Sequence, residues 1–87
     1  MTTRYKPATD LIETDLGTEL ALLNPTTQAM FSLNKTGRLI WQVLPQLGIG
    51  GAAQAVVKQF DVSPKQAEQE AKGLVESLLE SGLLEPV

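Results

Sequence analysis

The chain has 87 residues and a formal charge of -3, enough for one domain with a modest core and too little for a large enclosed active-site cavity. It contains no cysteine and no histidine, which excludes disulfides, thiolate metal sites, iron–sulfur clusters, a cysteine nucleophile and the usual imidazole base or ligand. Residues 51–87 carry six acidic and three basic side chains, against four of each in residues 1–50, a balance that disfavours phosphate backbones as partners.

Asp10, Glu13, Asp15 and Glu19 interrupt the first twenty residues, so no secretory signal is expected. No window approaches the roughly 20 apolar residues that span a bilayer. The expectation is a cytoplasmic, unprocessed protein with no membrane partner. Residues 1–8, with Tyr5 and Lys6-Pro7 ahead of the first apolar run, read as a flexible tail.

From Thr9 to Leu33 short apolar runs alternate with turn chemistry, predicting a three-stranded antiparallel meander. Asp15-Leu16-Gly17 supplies a residue free to take positive φ at the first turn. Asn24-Pro25-Thr26-Thr27 supplies a proline preset for the second position of a type I turn at the next.

Beyond Leu33 the period becomes helical. Leu39, Ile40, Val43, Leu44 and Leu47 form one stripe behind Asn34 as N-cap, and Pro45 is expected to stop or kink this first helix near Leu44. Gly48 to Gly51 reads as a connection, and the stripe from Ala52 to Phe60 as a short second helix. Ser63-Pro64-Lys65-Gln66 is a capping box that opens a third helix, and Ser81-Gly82-Leu83 closes it with a glycine stop. Gly73 interrupts this helix at a cost of about 1 kcal/mol relative to alanine, which implies either a close neighbour or simple tolerance. The predicted fold class is therefore α+β: a three-stranded antiparallel sheet followed by three α-helices.

No catalytic constellation emerges. Ser32-Leu33-Asn34-Lys35 has the spacing in which a lysine activates a serine, but no second element accompanies it and Asn34 is better used as a cap. Glu68, Lys72 and Glu76 stand at i, i+4 spacing, as on a solvated helix face. Trp41 lies beside the apolar stripe, which suits a core residue or an interface anchor. The sheet carries more functional content, because a meander leaves its outer strands unpaired. The third strand, roughly Thr27 to Leu33, has neither the proline nor the charge that usually protects an edge. Such an edge is either made to be paired by a partner or covered by this chain or a second copy.

The run Phe31-Ser32-Leu33-Asn34-Lys35-Thr36-Gly37-Arg38-Leu39-Ile40-Trp41 resembles the signature that joins the third strand to the first helix in PqqD-like proteins, the family of RiPP recognition elements. Phe60-Asp61-Val62-Ser63, then Leu74, Leu78 and Leu79, then Gly82-Leu83-Leu84 follow at the family's spacing. The similarity covers about residues 18–85, and Pro45 with the Gly48–Gly51 connection departs from the pattern.

The resemblance implies that residues 1–87 form one winged helix-turn-helix-like domain without a cofactor or metal. It would be no enzyme but a binder of the leader of a ribosomally made precursor peptide. The leader would add a β-strand to the third strand, in a groove whose other wall is the third helix. Carried onto this sequence, the peptide-binding residues are Gln28, Ala29, Met30, Phe31 and Ser32 on the strand, and Lys72, Val75, Glu76 and Leu79 on the helix. The implied partners are the precursor leader peptide and a separate leader peptidase of the cysteine-protease type, or another modifying enzyme, with a lasso-peptide pathway favoured. Two alternatives remain at this level: a winged-helix DNA-binding regulator, and a homodimer that pairs its third strands.

Overall fold

The structure, a computed structural model, describes residues 4–87. Its elements run β1 (Tyr5–Pro7), β2 (Ile12–Asp15), β3 (Leu20–Asn24), β4 (Ala29–Leu33), α1 (Lys35–Gln59), α2 (Pro64–Glu80) and β5 (Leu84–Pro86). The molecule measures 36 × 34 × 18 Å, a slab about as thick as a sheet and a helix layer together.

The expected meander is present as β2-β3-β4, all antiparallel, with Leu22 opposite Glu13 on one side and Phe31 on the other. Both turns use the anticipated chemistry. Gly17 takes φ 95 and donates its N–H to Asp15 Oδ1 at 2.8 Å. At the second turn Asn24 Oδ1 accepts from the Thr26 and Thr27 N–H groups, and Gln28 closes the loop in the left-handed region at φ 65.

Two expectations are corrected. The segment read as a tail is partly a strand: β1 pairs antiparallel with β5, Tyr5 opposite Pro86 and Pro7 opposite Leu84. Leu84 and Ala8 are buried beside this ribbon, and its short length and prolines hid it from pattern reading. The rest of the expected tail includes residues 1–3, which lie outside the described residues. The helix count is two, not three. α1 continues through Pro45, and the change of direction comes three residues later at Gly48, whose φ 70, ψ -176 is the only non-helical pair inside it. That region is open essentially to glycine alone, so the chain bends at one residue instead of leaving the helix for a loop.

Helix ends follow the sequence closely. Asn34 Oδ1 accepts from Gly37 N–H at 2.8 Å, and Ser63 Oγ from Gln66 N–H at 3.1 Å. At the end of α2, Gly82 at φ 73 lets Leu83 N–H reach Leu78 O at 3.0 Å and Gly82 N–H reach Leu79 O at 3.2 Å, a Schellman closure. The core lies between the inner sheet face (Leu20, Leu22, Leu33) and the helices, with Leu44, Val56 and Leu78 fully enclosed. Trp41 is buried in it and donates Nε1–H to Glu13 Oε1 at 3.0 Å, so it serves as core while tethering β2. Among the described residues no helix is long and apolar enough to cross a membrane.

Candidate functional site

The two edges of the three-stranded sheet differ chemically. β2 carries Glu13 and Asp15, both engaged by α1. Besides the Trp41 bond, Arg38 grips Asp15 through both oxygens, at 3.0 and 2.6 Å, and donates to Gly17 O at 3.0 Å. The Arg38 guanidinium and the Gly17 N–H hold the Asp15 carboxyl down to about 2, and the same pair raises Arg38. Among the described residues β2 pairs with β3 on one side only, but it carries these two charges. β4 pairs with β3 on one side only and has no strand on its other side among the described residues. Every second β4 residue therefore directs its N–H and C=O outward.

Alternation along β4 sorts the predicted contact residues by face. Ala29 and Phe31 are half-buried and pack toward the core, Met30 and Ser32 face solvent, and Met30 is 74% exposed. Gln28 is exposed at the strand's entry. Beside this edge opens a cleft of about 350 Å³ between Phe31 and the α2 flank formed by Glu70, Gly73, Leu74 and Ser77. Its end is closed by the first turns of α1, through Asn34, Thr36, Gly37 and Ile40.

The helix residues named from sequence do not gather there. Val75 is core at 2% exposure, and Leu79 is half-buried against the core. Lys72 pairs with Glu68 at 2.8 Å, an exposed i, i+4 contact that raises the lysine and lowers the glutamate. It lines a different cavity, about 600 Å³ between α1 and α2, walled by Ile49, Ala53, Val57 and Pro64. Glu76 points to solvent. With 3.6 residues per turn, Lys72 and Leu79 fall on the flank of α2 away from Leu74 and Ser77. The apolar stripe marks which side of α2 is buried. Which of its two flanks meets β4 depends on how the helix crosses the sheet, and no residue pattern encodes that. The one local signal was Gly73, a glycine inside an otherwise regular helix.

One buried polar residue, read from sequence only as part of a turn, also links the sheet to the end of the helical half. Asn24, 7% exposed, donates Nδ2–H to Gly82 O at 2.8 Å while its Oδ1 caps the β3–β4 turn. It thereby ties the start of β4 to the end of α2. Among the described residues no group of three or more histidine, cysteine, aspartate or glutamate side chains is placed to hold a metal ion.

Comparisons with known proteins agree with this architecture. The chain is similar in fold to a solved structure described as lasso peptide synthetase B1 complexed with the leader peptide, at TM-score 0.84 and 25% identity, covering 95% of this chain and 99% of that one. It is similar also to TbiB1 in complex with the TbiA(beta) leader peptide, at TM-score 0.82 and 22% identity, covering 92% and 94%. A search of curated proteins finds no match. Residues 19–84, most of the chain, match the model of the family described as coenzyme PQQ synthesis protein D, and the chain belongs to the PqqD family.

Proposed function

We propose that this protein is a non-catalytic recognition module that captures the leader segment of a ribosomally synthesised precursor peptide as an added strand on β4 and presents it to a separate enzyme. The observation that carries the reading is the unpaired, uncharged β4 edge running beside a cleft whose far wall is α2. It is supported by likeness to a protein whose structure contains a leader peptide. In this mechanism outward-facing N–H and C=O groups of β4 bond the peptide backbone with little regard for sequence. Alternate peptide side chains enter the cleft against Phe31, Ile40 and Leu74, and these set specificity. The others lie on the outer face beside Met30 and Ser32.

The energetics suit a transient carrier. Backbone hydrogen bonds along the strand and one or two buried side chains act against the cost of association and of ordering the peptide. The expected dissociation constant is about micromolar, tight enough to select a precursor and weak enough to release it. The favoured partner is a leader peptidase or modifying enzyme of a lasso-peptide pathway. Duplex DNA draws no support from the surface, since α2 carries Glu68, Glu70, Glu76 and Glu80 against Lys65 and Lys72.

The test is an anisotropy titration with the fluorescein-labelled leader of the precursor encoded beside the protein, a scrambled leader serving as control. Saturable binding of the true leader alone is expected, with Leu74→Glu weakening it by about tenfold or more through a charge placed in the cleft. Equal binding of both peptides, or of neither at about 100 times the expected constant, overturns the reading.

A further inference from the structure

Among the glycines of the helical half, Gly50 and Gly73 have neither a strained backbone nor a close neighbour that would require glycine. Gly48 and Gly82 take positive φ. A Cβ at Gly51 would stand 2.5 Å from Leu47 Cβ. Gly73 has neither constraint: it is helical, exposed, in the middle of the uninterrupted α2, and a Cβ there would meet no atom within 4 Å. Alanine would fit the folded protein and favour the helix, yet the position is bare. It is also on the wall of the β4–α2 cleft, between Glu70 and Ser77.

We infer that Gly73 is the specificity-determining residue of the cleft, its missing side chain being the space into which one large apolar residue of the bound leader inserts. This rests on the leader-binding reading above. Phe31, Ile40 and Leu74 give the cleft an apolar side among the polar Asn34, Thr36, Glu70 and Ser77, and the residue admitted against that side is aromatic or a branched aliphatic, carried on the alternation of the added strand that faces α2. Any side chain at position 73 projects into the volume this residue fills and selects smaller residues in its place.

Gly50 provides the internal control. It is also helical with nothing within 4 Å of a Cβ, but it lines the cavity between α1 and α2 instead. The experiment compares the wild-type chain, Gly73→Ala, Gly73→Leu and Gly50→Ala. Each is titrated with the labelled leader and with a set in which every large apolar leader residue is replaced singly by alanine, and thermal midpoints are recorded alongside. The expected result is that all variants fold, Gly50→Ala binds like wild type, and Gly73→Leu binds the native leader about tenfold or more weakly, as overpacking of a filled site requires. At one leader position, trimming to alanine restores binding to Gly73→Leu while weakening binding to wild type. Binding of the native leader by folded Gly73→Leu within about twofold of wild type, or a loss that no single trimming rescues, overturns the inference and leaves leader recognition standing. Failure of the wild-type chain to bind any leader overturns the functional reading itself, and this inference with it.

Discussion

Asn24 and Asp15 each join the sheet to a helix, one in the interior and one at the surface, and they respond to different perturbations. Asn24 is buried with both ends of its amide used, on Gly82 O and on the turn N–H groups. Asn24→Ala leaves that carbonyl and those donors without partners, and should lower the unfolding free energy by about 1–3 kcal/mol, read as a shifted urea midpoint with an unchanged slope. Asp15 acts through charge. Its folded pKa, about 2, lies below the ordinary 3.8 because Arg38 and the Gly17 N–H favour the carboxylate. A depressed carboxyl stabilises the fold above its unfolded pKa and loses that contribution as pH falls through the folded one. Urea midpoints taken from pH 5 to pH 2 should therefore fall more steeply, between about 4 and 2, for wild type than for Asp15→Asn. Parallel curves would mean that solvent screens the pair. The sequence displayed the turn role of both residues, since Asn-Pro and Asp-x-Gly are local signals. Their partners at Gly82 and Arg38 lie 58 and 23 residues away, beyond any local pattern.

Among the elements, α1 separates what a glycine-rich run suggests from what each glycine does. Gly48 to Gly51 reads as a loop by composition, yet only Gly48 leaves helical space. Gly48→Ala forces a Cβ into a conformation reserved for glycine and should cost about 1–3 kcal/mol. Gly50→Ala, with open space and helical backbone, should be neutral or stabilising by about 0.5–1 kcal/mol. Thermal unfolding of the two variants decides between a bend localised at one residue and a loop in which both substitutions behave alike. α2 carries the complementary lesson. Its start at Ser63 and stop at Gly82 were legible because caps are local chemistry, and its buried residues, Ala67, Ala71, Val75 and Leu78, follow the 3.6-residue period. The flank that meets β4, with Glu70, Gly73, Leu74 and Ser77, was not.

Across the whole molecule, closure comes from the pairing of β1 with β5, which joins segments near the two ends of the described chain. Thr9 N–H reaches Glu85 Oε2 at 3.1 Å and Ala8 N–H reaches Leu83 O at 3.1 Å, so the ribbon runs on into the junction with β2. Leu84, 3% exposed, anchors this ribbon in the core. Leu84→Ala should cost about 2–4 kcal/mol, and native-state hydrogen exchange should show β1 and β5 amides losing protection together, while those of β3 keep theirs. Independent loss in the two strands would refute the pairing. The sequence by itself determined the meander, the helix caps, the apolar stripe of α1 except Leu47, which is 52% exposed, the absence of cysteine and histidine chemistry, and the uncharged strand that offers itself for pairing. Each of these follows from the residue itself or from neighbours within a turn or two. Only the tertiary structure decided that the ends pair, that α1 passes through Pro45 and bends at Gly48, and which flank of α2 lines the cleft. Those outcomes depend on contacts between residues distant in the chain, where packing of the whole core outweighs local preference.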